Sequence, residues 1–322
     1  MKNIYITRQI PEIAVEMLRA KGYSIDMNMK EAIPSQTDII EALQRKPYDA
    51  VITLLTDKIN AKIFDAVPNI KLFANYATGF DNIDVVEARK RGILVTNTPG
   101  NYAYCIAEHT IALMIGLTTR MVEADTFVRA GKYQGWDPML FVGTDLEKKT
   151  LGLIGAGRIG ERVAHHASRG FDMPVIYYDV VRNEKIEKEY GAKYYPKVED
   201  VLKLADVVSL HVPLLDSTKH LINDARLKMM KPTAFLINTS RGPVVDEKAL
   251  VKALQRGTIR GAGLDVFELE PKLVEGLAEL PNVILTPHIA SARESARNEM
   301  AKIAADNVID FLEKGTVKNL VY

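Results

Sequence analysis

The sequence predicts an α/β fold made of two doubly wound parallel-sheet domains. Three observations lead there. Short β-branched runs alternate with helical patterns almost from end to end, the alternation comes in two successive sets, and 322 residues suffice for two domains of the usual ~150. Parallel strands need a crossover, here helical, so each strand–helix–strand unit turns right-handed and buries both faces of its sheet.

In the first set, residues 2–7, 24–27, 50–55, 71–76 and 93–96 read as strands. Apolar residues at helical spacing mark 11–21, 35–44, 61–66 and 84–91 between them. The turn signal Thr98-Pro99-Gly100-Asn101 closes this set and leads into 103–119. That helix is apolar nearly all round and so reads as buried, either between the domains or as an ordinary core helix. The second set has strands at 150–154, 175–179, 207–211, 234–238, 261–265 and 283–285. Helices at 158–169, 198–204, 224–230, 246–255 and 291–314 separate or follow them, and the charged stretch 182–188 reads as a solvated helix face. The last helix follows the second set but could return to the first domain.

Composition narrows the function. With 47% hydrophobic and 26% charged residues the chain has material for full cores. Lys and Arg number 42 against 41 Asp and Glu, so charge recommends neither nucleic acid nor an anionic membrane as partner. The single cysteine, Cys105, excludes a disulfide framework and any multi-cysteine zinc site, and it suits a reducing, cytoplasmic setting. Residues 1–6 do not read as a signal peptide, and the longest uncharged apolar stretch, 110–119, is half the ~20 residues a bilayer needs.

Chemistry first shows in a glycine loop, Gly155-x-Gly157-x-x-Gly160, between a strand and a helix whose first residues are Arg158 and Ile159. Gly155 permits the tight turn, Gly157 lets backbone approach a pyrophosphate, and Gly160 lets helix and strand pack closely. The helix N-terminus offers N–H groups and a positive dipole end to the phosphates. A second strand ends in Asp179, whose carboxylate suits a ribose 2′-hydroxyl and repels a 2′-phosphate. This spacing predicts a dinucleotide, NAD(H) in preference to NADP(H). Arg182 dissents, because a guanidinium there could pair with a 2′-phosphate.

Other site chemistries are missing from the sequence: there is no GxSxG, HExxH or GxxxxGK[ST]. Adjacent His165 and His166 leave one helix on different sides and cannot chelate one ion, and His109 and His220 read as structural. No metal is expected. Three strand ends of the second set stand out, because they carry Arg241, then Asp265 with Glu270, then His288. In open α/β sheets ligands sit at the carboxyl ends of strands, so an arginine, an acid and a histidine there form a plausible site.

Residues 75–84, 152–160, 238–246, 261–271 and 286–292 together resemble the D-isomer-specific 2-hydroxyacid dehydrogenase family, over essentially the whole chain. The resemblance implies that Arg241, Glu270 and His288 are catalytic and that Asp265 lies near the nicotinamide. It counts His211, Pro213, Thr239 and Ser240 among the cofactor contacts, with the glycine loop, Arg158, Ile159 and Asp179. Backbone N–H groups of Thr78 and Gly79 are implied to hold the substrate carboxylate, with Leu55 and Tyr76 lining the pocket. The implied architecture is a Rossmann cofactor domain, 100–290, inserted into a flavodoxin-like substrate domain, 1–99 and 291–322, with homodimers formed through the cofactor domain.

In such a site Arg241 offers a fork of donors to a 2-oxo acid, His288 donates a proton as hydride arrives, and Glu270 orients the imidazole and favours its protonated form. Trp136, the one tryptophan, sits in a segment that resembles the glyoxylate/hydroxypyruvate reductase branch. It either reaches the partner subunit's active site or packs in a dimer arm. Ile106 departs from the family, where many relatives have a threonine. The expected activity is NAD(H)-dependent reduction of a small 2-oxo acid, glyoxylate or hydroxypyruvate first. The alternatives are a D-lactate or D-3-phosphoglycerate dehydrogenase, or an NADH-sensing protein of the corepressor kind.

Overall fold

The computed structural model describes residues 1–100 and 102–322, so the turn predicted at 98–101 ends on a residue outside the described ones. The chain divides into two units, Met1–Asn101 with Ala292–Tyr322, and Tyr102–Ser291.

In the first unit, strands β1 (Asn3–Ile6), β2 (Ser24–Met27), β3 (Ala50–Leu54), β4 (Leu72–Tyr76) and β5 (Leu94–Thr96) form a parallel sheet ordered β2-β1-β3-β4-β5. This is the flavodoxin-like order. Every residue of β3 and β4 is buried, which is why their sequences run apolar without alternating. Helices α1 (Glu12–Ala20), α2 (Gln36–Gln44), α3 (Ala61–Ala66) and α4 (Val85–Lys90) make the crossovers. Ser35 and Asp38 start α2 with a capping box, while Asn60 and Asp84 cap α3 and α4. The C-terminal helix Glu294–Lys314 packs on α1 and β4 through Ala296, Met300, Ala301, Ala304, Ala305 and Val308. Beyond it Leu320 bridges Thr96 in antiparallel fashion, and the Val321 N–H donates to the Val95 carbonyl.

The second unit opens with α5 (Ala103–Thr118) and α6 (Met121–Arg129). Strand β6 (Leu151–Ile154), helix α7 (Arg158–Phe171), strand β7 (Val175–Tyr178), helix α8 (Glu184–Tyr190) and strand β8 (Lys193–Tyr194) follow. The chain then alternates through α9 (Val198–Leu204), β9 (Val207–Leu210), α10 (Asp224–Leu227), β10 (Phe235–Asn238), α11 (Glu247–Gln255), β11 (Gly261–Leu264) and β12 (Val283–Leu285). The parallel sheet is ordered β12-β11-β10-β9-β6-β7-β8, the Rossmann order, and the chain reverses direction between β6 and β9.

Helix α5 lies on the sheet of its own unit and against α7. A methyl at Gly263 of β11 would come within 3.1 Å of Leu113 and Leu117, so the glycine is what lets this helix sit so low. These contacts place α5 in the core of the second unit. The sequence reading missed α6 and β8: α6 buries no residue, and β8 is a two-residue edge strand. Among the described residues no helix is long and apolar enough to cross a membrane.

Candidate active site

At the carboxyl end of β6 the chain turns through Gly155 at φ +98°, a conformation that L side chains rarely adopt. A methyl there would also sit 2.7 Å from the backbone of His211, and one at Gly160 only 2.3 Å from the Gly155 carbonyl oxygen. Gly157 differs: a methyl there meets nothing within 4 Å. Gly157 is the N-cap of α7, and no side chain caps that helix. An open backbone surface at an uncapped helix N-terminus suits a pyrophosphate, so these residues fit a dinucleotide.

Asp179 closes the neighbouring corner. Its carboxylate accepts the Ala156 N–H at 2.7 Å and the Val181 N–H at 3.2 Å, while Asn183 donates to the Ala156 carbonyl at 2.7 Å. The acid and the glycine loop are thereby pinned together.

His211, Pro213, Thr239 and Ser240 are engaged with protein partners. His211 is bonded to Ser209 at 2.9 Å, and burial pushes its imidazole down to about 3, so it is neutral. The Thr239 hydroxyl meets that of Thr110 at 2.9 Å, and Thr110 bonds the Ile106 carbonyl at 2.8 Å. Ser240 places both its N–H and its hydroxyl on Asn238 Oδ1, and the Pro213 carbonyl accepts the Thr218 hydroxyl at 2.6 Å. These bonds fix His211, Pro213, Thr239 and Ser240 along the loop edge through protein partners.

Three adjacent strands deliver the ionisable residues. Glu270 follows β11 and His288 follows β12, and Glu270 Oε2 lies 3.0 Å from His288 Nδ1. The other carboxylate oxygen accepts the Phe267 N–H at 2.9 Å. Burial pushes the Glu270 carboxyl up, but the His288 hydrogen bond and charge, the Phe267 N–H and the Arg241 charge outweigh it and hold it below its ordinary range. An ionised carboxylate only accepts, so Nδ1 carries the hydrogen and Nε2 is left for a substrate.

Arg241 follows β10, with its carbonyl held by Asn238 at 2.9 Å and one guanidinium nitrogen on the Ser240 carbonyl at 2.8 Å. The next residue brings two of these strand ends together, because a methyl at Gly242 would lie 1.9 Å from the Phe267 carbonyl carbon. Only a glycine permits that approach of the Arg241 turn to the segment carrying Glu270.

Asp265 has a role that its sequence reading did not give it. Its carboxylate accepts the Thr286 hydroxyl at 2.6 Å and the Ile289 and Ala290 N–H groups at 2.9 and 2.8 Å, and His109 Nε2 lies 3.3 Å away. Burial raises this carboxyl, but those donors bring it below its ordinary range. The Asp265 carbonyl also accepts the His288 N–H at 2.9 Å, and His288 itself sits at φ +53°, uncommon for any residue but glycine. Asp265 thus holds the turn that presents His288, and its carboxylate is directed to that turn.

Sequence reasoning missed the supporting groups. His109 bonds Thr286 at 3.0 Å, and His220 bonds Glu268 at 2.7 Å. Glu247 and Glu268 clasp each other, each carboxylate taking the other's backbone N–H, at 2.7 and 3.3 Å. Burial, opposed by the Glu268 N–H but helped by the Glu268 and Glu270 charges, pushes the Glu247 carboxyl up to about 7.

In the first unit, Asn75 Nδ2 donates to the Gly79 carbonyl at 3.0 Å, and Asn97 fixes the Thr78 carbonyl at 2.7 Å. Asn82 ties the same loop to the Leu54 and Asp57 carbonyls at 3.1 and 3.0 Å, next to half-buried Leu55. Tyr76, which the sequence reading placed along the pocket, is buried and donates its hydroxyl to the Arg297 carbonyl at 3.0 Å. Trp136 is 84% exposed, among Tyr133, Met139 and Val142, which are exposed as well.

A family model described as the D-isomer specific 2-hydroxyacid dehydrogenase NAD binding domain matches residues 111–290. A glyoxylate reductase of Korarchaeum cryptofilum is 48% identical over 321 residues, covering 99% of this chain and 95% of that one. Among solved structures, a Thermus thermophilus protein superposes with TM-score 0.92 at 38% identity, covering 99% and 100% of the two chains. An NADPH-dependent glyoxylate/hydroxypyruvate reductase from Sinorhizobium meliloti does so with TM-score 0.85 at 31% identity, covering 100% and 98%.

Proposed function

The chain belongs to the D-isomer specific 2-hydroxyacid dehydrogenase family, an oxidoreductase family with a nicotinamide dinucleotide cofactor, and on that premise we propose that it reduces glyoxylate, and hydroxypyruvate next, with NADH. The observation that carries the reading is the convergence of Arg241, Glu270 and His288 from three adjacent strand ends of the sheet that also bears the glycine loop.

The bound nicotinamide supplies the hydride. Arg241 presents a planar fork of donors to the carboxylate and carbonyl oxygen of the 2-oxo acid, neutralising charge that grows on that oxygen as the bond order falls. His288 gives that oxygen a proton from Nε2, and in the oxidative direction takes it back. Glu270 holds the ring by Nδ1 throughout, which keeps the tautomer. The Thr78–Gly79 backbone is our candidate for the substrate carboxylate, and its carbonyls are already fixed by Asn97 and Asn75.

The preference for NADH rests on Asp179, which keeps a negative charge where a 2′-phosphate would lie. We assign the substrate role to the first unit, the cofactor role to the second, and a cytoplasmic setting from the single cysteine. The exposed apolar side chains Met121, Val122, Val128, Trp136 and Met139 support a homodimer through the second unit.

The test is NADH consumption by the pure protein against glyoxylate, hydroxypyruvate, pyruvate and bulkier 2-oxo acids. Turnover fastest on the first two supports the reading. Protein that binds NADH yet turns over neither refutes it.

A further inference from the structure

The turn after β7 carries Arg182, a cation able to pair with a 2′-phosphate, and the structure shows what that cation does. Arg182 makes a two-pronged ion pair with Glu187 of α8, Nε to Oε1 at 2.7 Å and a terminal nitrogen to Oε2 at 2.6 Å. Glu187 is itself fixed: the Tyr177 hydroxyl donates to Oε1 at 2.6 Å, and that hydroxyl accepts the Asn183 N–H at 2.9 Å. Only 18% of the Glu187 side chain is exposed against 61% for Arg182, so the carboxylate is the anchored member and the guanidinium comes to it. The Arg182 bonds first, then that of Tyr177, hold the Glu187 carboxyl down at about 2, fully ionised at working pH.

The two lysines of α8 are occupied too. Lys185 pairs with Glu161 at 2.7 Å and Lys188 with Glu184 at 3.2 Å. The corner beside Asp179 therefore combines one fixed negative charge with cations that are already paired.

We propose that Glu187 is a second determinant of coenzyme choice: by drawing Arg182 onto α8 in a bidentate pair, it withholds the one guanidinium of this turn from a 2′-phosphate. Asp179 repels the phosphate, and Glu187 removes its counter-ion. Discrimination against NADPH then has two separable parts, and removing the repulsion alone leaves the phosphate without a partner. This rests on the coenzyme reading above.

The experiment measures dissociation constants of NADH and NADPH by titration calorimetry for the wild type, Asp179→Ser, Asp179→Ser/Glu187→Gln, and that pair with Arg182→Gln. The ratio Kd(NADH)/Kd(NADPH) is compared, since general loosening of the site weakens both coenzymes alike. A released arginine makes charge-assisted bonds to the phosphate, so Glu187→Gln should raise the ratio a further ~10-fold over Asp179→Ser. Adding Arg182→Gln should return it to the Asp179→Ser level. An unchanged ratio overturns the proposal, and so does a gain that survives loss of Arg182, which would come from the removed charge alone. If Glu187→Gln does not fold, Glu187→Asp, one methylene short of bidentate reach, carries the same comparison. A wild type that binds NADPH as tightly as NADH defeats the coenzyme reading and this proposal together. One that prefers NADH while the ratio stays still defeats this proposal only.

Discussion

Replacing Gly157 and Gly160 by alanine separates binding from folding within four residues. At Gly160 the new methyl would stand 2.3 Å from the Gly155 carbonyl oxygen, more than an ångström inside the ~3.5 Å of an ordinary contact. Its obstacle is backbone, which cannot swing aside, so overpacking should cost about 1–3 kcal/mol and lower Tm by roughly 2–10 °C. At Gly157 the methyl meets no heavy atom within 4 Å, and φ −73° with ψ −162° is extended backbone open to alanine. Gly157→Ala should therefore stay within about 1 kcal/mol of the wild type, the stiffer unfolded chain offsetting the poorer N-cap. The same methyl would occupy the surface assigned to the pyrophosphate, so NADH affinity should fall at least ~10-fold. Thermal melting without coenzyme and calorimetric NADH titration read the two effects independently. If Gly157→Ala binds NADH like the wild type, this loop does not hold the pyrophosphate and the reasoning fails.

Further consequences can be measured. His288→Ala should lose about 10²–10⁴-fold in kcat while NADH titrates normally, because the proton donor is removed and the coenzyme loop is untouched; near-normal turnover contradicts the acid role. Gly242→Ala forces the Arg241 turn off Phe267, because the new methyl would lie 1.9 Å from the Phe267 carbonyl carbon, and an ångström of displacement should cost ~10²-fold in kcat/KM, checked by steady-state kinetics on folded protein. The Glu247 carboxyl, raised to about 7, contributes stability that is whole below its unfolded pKa near 4.5 and lost as pH rises through 7, at most ~3 kcal/mol. Denaturant melts of Glu247→Gln should show that slope flattened, with the variant gaining on the wild type above about pH 7 and not near pH 4.

Fully buried parallel strands write continuous apolar runs, so β3, β4, β6 and β9 to β11 were legible, and with them both sheets. Helix α6 was not, since it has no buried face to impose a period. At the site, what a local motif encodes could be read: three glycines, then an arginine, an acid and a histidine each just past a strand. What long-range pairing encodes could not. His109 meets Thr286 across 177 residues, and His220 meets Glu268 across 48, so neither histidine carried a sign of its partner. Asp265 was visible as an acid beside the site, but its role in clamping the His288 turn depends on donors brought in by β12 and the loop after it. Arg182 was legible as a charge and illegible as a pair, because Glu187 looked like one more solvated acid.

Strand β5 borders the sheet of the first unit, and its partner arrives last. Leu320 and Val321 cover it, while the helix Glu294–Lys314 seals α1 and β4. During synthesis, residues 1–100 therefore leave the ribosome with an unpaired strand edge and an uncovered apolar face, and wait while the whole of the second unit is made. Domains fold as units as they emerge, so the second unit has the means to fold first and the unit that begins the chain completes later. An exposed edge of this kind is where nascent chains pair wrongly. Until residues 292–322 emerge, the β5 edge and the faces of α1 and β4 therefore lack the partners they have in the folded unit.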